Sequence, residues 1–158
     1  MNIKRKSIRF LIWWNKLKLI PFISVTLLLS YVFLIPSLPF LPHFKSNGNE
    51  FSYMRAISSL TIAPFVETLI FQALIIYLIR KFLTKNLTVQ VLISAVLFGT
   101  THNFSPRYVL FATLVGVVLA AGYVIYLRRR RWEDAAWAII LVHFLRNAIA
   151  LIVSLLLK

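Results

Sequence analysis

Cysteine is absent from this chain, which excludes a disulfide framework and a thiolate metal site. Acidic residues are nearly as scarce, 4 Asp and Glu against 18 Lys and Arg, for a formal net charge of +14. Such an excess suggests nucleic acid when the cations form one continuous patch. Here they do not. Most sit in short clusters between long apolar runs, as basic loops do at an anionic membrane surface, so the expected partners are lipid headgroups and not nucleic acid. What the chain has in plenty is apolar surface: 60% of its 158 residues are hydrophobic and the mean hydropathy is +0.83, far above the range of a soluble domain.

Lys4, Arg5, Lys6 and Arg9 precede the first apolar run in the manner of a signal peptide. The run from Leu19 to Ile35 is too long for such a segment, and Pro36, Ser37, Leu38 and Pro39 supply no small-residue cleavage site, so an uncleaved anchor is expected. Residues 1–18 mix cations with Phe10, Trp13 and Trp14 and are expected to lie on the membrane, rings at headgroup depth.

Five apolar runs then predict an all-α, polytopic bundle of about five spans in a single domain, 19–158. The spans are Leu19 to Ile35, Ile57 to Ile79, Val89 to His102, Tyr108 to Leu127 and Ala135 to Leu157, with a Pro-rich loop from Pro36 to Arg55 after the first. The fourth spaces Ala112, Gly116 and Ala120 by four residues, a face for close helix packing. Glu133 and Asp134 stand at the start of the fifth, where carboxylates suit the positive end of the helix dipole. Cations are unevenly shared between alternate loops. The N-terminal segment, Arg80, Lys81, Lys85 and Arg128 to Arg131 form the rich side, and Lys45, Arg55, Arg107 and Lys158 the poor one. The expectation is a multi-pass protein of the cell membrane with a cytoplasmic N-terminus.

A charged side chain inside hydrocarbon costs roughly 2.5 to 3.5 kcal/mol on insertion scales, so polar residues within the spans need a reason. They are Glu67, Thr68, Gln72, His102, His143, Arg146 and Asn147. Singly, each has a structural reading: a Thr bonds its own helix, a Gln bridges helices, a His packs. Together they say more, because Glu67, His102 and His143 lie on three different spans and meet only in a bundle interior. His143 and Asn147, four apart, point the same way and offer two donors to one spot, as a developing oxyanion requires. Glu67 with His102 as partner supplies a base for water.

Three short motifs carry a resemblance. Pro64-Phe65-Val66-Glu67-Thr68-Leu69-Ile70-Phe71-Gln72, Phe98-Gly99-Thr100-Thr101-His102 and His143-Phe144-Leu145-Arg146-Asn147 resemble, in order and on separate spans, the three motifs of the CAAX-protease and bacteriocin-processing (CPBP) membrane protease family. The likeness covers roughly residues 57–157. It departs in the first motif, where Thr68 and Gln72 replace a glutamate and an arginine; being four apart, they are expected to hydrogen-bond in place of an ion pair.

The resemblance implies an intramembrane endopeptidase acting on a membrane-embedded or lipid-anchored peptide. Glu67 and His102 would activate water, His143 and Asn147 would hold the oxyanion, and Thr68 and Gln72 would support the site. No cofactor is expected, since Asn147 is a poor zinc ligand and a good oxyanion donor. Zinc on Glu67, His102 and His143 is the alternative, although no HExxH sequence is present. Two other functions compete: a catalytically weak immunity or scaffold protein, favoured by Thr68 and Gln72, and a small proton-coupled carrier.

Overall fold

A computed structural model describes residues 3–32, 53–103 and 105–156. The last residues of the first expected span, the expected Pro36 to Arg55 loop as far as residue 52, Lys45 and Lys158 lie outside the described residues, and Tyr53 to Arg55 are helical where a loop was expected. The elements in chain order are α1 (Ile3–Lys16), α2 (Leu19–Val32), α3 (Tyr53–Leu60), α4 (Ile62–Glu67), a π-helical segment (Thr68–Ile75), α5 (Ile76–Phe82), α6 (Leu87–Thr100), α7 (Pro106–Leu127) and α8 (Trp132–Leu156). No strand occurs among the described residues, and the chain is a membrane-spanning helical bundle. Among the described residues three stretches are long and apolar enough to cross a bilayer, Ile57–Phe82, Pro106–Leu127 and Trp132–Val153. Leu19–Val32 and Leu87–Thr100 are apolar but shorter. At 1.5 Å per residue, Leu87–Thr100 falls well short of a ~30 Å hydrocarbon core.

Local sequence sets the helix ends. The Asn86 side chain accepts hydrogen bonds from the N–H groups of Thr88 (2.9 Å) and Val89 (3.3 Å) and opens α6. Ser105 does the same for Tyr108 at 3.1 Å, with Pro106 in the first turn of α7, where its missing N–H has no partner to lose. Glu133 and Asp134 fall in the first turn of α8, and Glu133 pairs with Arg131 at 2.7 Å.

Packing follows small residues. Ala112, Gly116 and Ala120 are all buried, and a Cβ added to Gly116 would stand 3.0 Å from Phe98 Cδ1 and 3.1 Å from Ala95 Cα, so α7 runs against the backbone of α6. Gly116→Leu puts an isobutyl group into that gap. It should cost about 1–3 kcal/mol or more by overpacking, read as a lower melting temperature in detergent. A melting temperature equal to wild type would show that this face is not a tight contact.

On α2, Phe22, Thr26 and Ser30 are buried four residues apart, facing inward. Trp14 faces the protein. It is buried, stacks on Phe22 at 6.0 Å and donates Nε1–H to Thr26 Oγ1 at 3.2 Å. A buried indole needs an acceptor for its N–H, and α2 supplies one. Phe10 and Trp13 remain exposed.

Candidate active site

Straight helices at the depths expected from sequence would hold Glu67 in mid-membrane, His102 near the outer end of its span and His143 nearer the inner half of its own. The bundle brings the three together. Glu67 Oε1 lies 3.9 Å from His102 Nε2, and Glu67 Oε2 lies 3.7 Å from His143 Nε2. One carboxylate thus faces an imidazole with each oxygen. Both distances exceed a direct hydrogen bond and suit a water between the groups.

His102 is not on its helix. α6 ends at Thr100, Thr101 caps it, and His102 follows with its N–H on Gly99 O at 3.0 Å. Its Nδ1 lies 2.9 Å from Phe98 O, and Thr101 Oγ1 donates to the same carbonyl at 2.7 Å. A carbonyl only accepts, so Nδ1 carries the hydrogen and Nε2 turns its remaining site toward Glu67. The four-residue spacing of Phe98 and His102 therefore serves two ends: it satisfies an orphan carbonyl at the helix terminus and fixes the tautomer. Gly99 lets the segment seat itself, since a Cβ there would meet the side chain of Thr113 and stand 2.9 Å from its backbone nitrogen.

Phe98 walls the site. Its ring lies 4.6 Å from that of His102 and 5.8 Å, edge-on, from that of His143. His143 is only 3% exposed, and its Nδ1 has no hydrogen-bond partner among the described residues. Its side chain is 4% exposed against 19% for His102 and 25% for Glu67, so the opening to the outside runs past the latter two. Asn147, one turn beyond His143 on α8, sends Nδ2–H to Ser59 O at 2.9 Å and so ties α8 to the end of α3. That amide has a second N–H.

Glu67 closes α4 at the point where the winding loosens into the π segment. Thr68 and Gln72 both fall in this segment and are fully buried. The hydrogen bond expected between them is not made: Thr68 Oγ1 and both amide atoms of Gln72 are without partners among the described residues. Ser94 of α6 does reach the segment, donating to Phe71 O at 2.9 Å. Arg146 is buried on α8, and Tyr31, a residue the sequence gave no reason to single out, sends its hydroxyl to Arg146 O at 3.0 Å. Tyr108 stands beside His102, ring centroids 6.0 Å apart, within electrostatic reach of both Glu67 and Arg146. Among the described residues no group of three His, Cys, Asp or Glu is arranged to hold a metal ion.

A carboxylate flanked by two imidazoles thus sits inside a helical bundle that carries many exposed apolar side chains, as in a membrane protein. The family profile described as type II CAAX prenyl endopeptidase Rce1-like matches residues 49–149, well over half of the chain, and the chain belongs to that family. The matched region contains all three motifs. No curated protein and no solved structure matches the chain.

Proposed function

We propose that the chain is an intramembrane endopeptidase in which Glu67 activates water without a metal. The observation that carries this reading is the single carboxylate between two imidazoles, 3.9 and 3.7 Å away, in a membrane bundle of a CAAX protease family. Glu67 takes a proton from water held in the gap, and the hydroxide attacks a peptide carbonyl carbon. Charge develops on the carbonyl oxygen. His143 Nε2–H and the free N–H of Asn147 are its donors, the Ser59 carbonyl having fixed the orientation of the amide. The proton then passes to the amide nitrogen, the C–N bond breaks, and a carboxylate and an amine leave. His102, with Nδ1–H on Phe98 O, offers Nε2 as a station for that proton.

The substrate is a membrane-embedded or lipid-anchored peptide, supported by the CAAX protease family and by the apolar spans that carry the site. The protein sits in the cell membrane with a cytoplasmic N-terminus, supported by the clustering of cations in the N-terminal segment and around Arg80 and Arg128. The test is cleavage of a membrane-peptide library by purified protein, with and without a strong chelator. Cleavage that survives chelation is expected. Activity lost to the chelator and restored by zinc would move the assignment to a metalloprotease, and no cleavage of any peptide would favour the scaffold reading.

A further inference from the structure

Arg146 is the polar residue of the third motif that the proposed chemistry leaves unused. It is 8% exposed inside a span, its Nε is buried without a hydrogen-bond partner, and no described carboxylate pairs with it. Its guanidinium carbon lies 5.2 Å from the ring centroid of Phe111 and 5.9 Å from that of Tyr31. Rings stabilise the charge through their faces but accept none of its five fork-like N–H donors in the plane. A buried, under-satisfied guanidinium calls for an anion.

The chain itself has few to give. Of its four acidic residues, Glu67 faces the two imidazoles and Glu133 pairs with Arg131. Asp134 lies twelve positions before Arg146 on α8, about 18 Å along the helix. Glu50 lies outside the described residues. Position supplies the rest of the argument. Arg146 adjoins Asn147 and is three residues from His143, hence next to it on the helix surface, and Tyr108 lies within reach of both Arg146 and Glu67. A peptide held at the carboxylate would pass within a few residues of the guanidinium, since an extended chain advances about 3.3 to 3.6 Å per residue.

We propose that Arg146 is a substrate-recognition residue that binds a carboxylate of the peptide, chain-terminal or side-chain, beside the catalytic groups. The inference rests on the endopeptidase reading for its occupant, but binding can be measured without turnover. The probes are one fluorescent apolar peptide without acidic residues, as the free acid and as the C-terminal amide, and the amide carrying a single Glu or Gln. Binding to wild-type protein and to the Arg146→Gln and Arg146→Lys variants in detergent is read by anisotropy. The wild type should bind at least one carboxylate form about 10-fold or more tighter than its neutral counterpart, as expected for a charge-assisted fork. Which pair shows the preference tells the chain terminus from a side chain. Arg146→Gln should bring that ratio to about one, and Arg146→Lys should keep part of it.

The acid and neutral forms binding equally to wild type, or not at all, would overturn the proposal, and this comparison needs no variant to fold. So would a Glu50→Gln variant that changes the ratio as Arg146→Gln does, which would make Glu50 an internal partner. Displacement of both peptides alike by a short-chain phosphatidic acid, with no carboxylate preference, would overturn it in favour of a lipid headgroup. A protein that prefers the carboxylate form yet cuts neither keeps the recognition site and loses the protease.

Discussion

Glu67→Gln should abolish cleavage of a membrane-embedded peptide while leaving the fold and peptide binding intact. The amide keeps the shape of the carboxylate and removes its basicity, and positioned acid–base groups contribute about 100- to 10,000-fold. Both oxygens of Glu67 look onto an imidazole, so the change disconnects His102 and His143 from a shared proton acceptor at once. Strong non-additivity follows: once Glu67 is lost, His102→Ala should cost little further rate, because groups acting as a unit fail together. Product formation by mass spectrometry and peptide binding by anisotropy separate the two effects. Wild-type cleavage by Glu67→Gln would refute the mechanism.

Asn147→Ala should lower kcat by about 100- to 1,000-fold, the usual cost of one lost oxyanion donor, with KM little changed. The structure adds a second consequence. Nδ2 of Asn147 also holds Ser59 O, so the variant should lose some stability as α3 loosens from α8. The two roles separate by measurement: a lower melting temperature with full kcat in the surviving protein would make Asn147 a strut alone.

The bundle was legible because burial in a membrane demands apolar runs, and their spacing gives the spans almost directly. Glu67, His102 and His143 stood out for the complementary reason, as polar groups where polar groups are expensive. What the sequence could not show was how short α6 is, nor that His102 lies beyond the end of α6 with its ring turned back on Phe98 O. Both depend on where hydrogen bonding stops, which apolar periodicity does not report. That Trp14 packs inward was not legible, because an indole suits an interface and a buried acceptor equally well, and the acceptor, Thr26, lies on the next helix. The expected bond between Thr68 and Gln72 assumed α-helical winding. The π segment over Thr68–Ile75 does not follow from residue types, since nothing in Thr, Leu, Ile, Phe, Gln and Ala marks an i to i+5 pattern.

That loosened winding also acts as a phase adjustment. Glu67 lies just before it, and Ile76 and Ile79, which pack inward, lie after it, with the basic collar of Arg80 and Lys81 beyond. A regular α-helix turns about 100° per residue, so a helix wound tightly throughout would rotate the collar and the exposed Tyr77 and Leu78 out of step with the carboxylate. The wider turn takes up the surplus residue. One half of the stave is then keyed to Glu67 and the other to Arg80 and Lys81, so that deleting a single residue other than Gln72 between Thr68 and Ile75 should let the segment close into regular α-helix with both halves still in step.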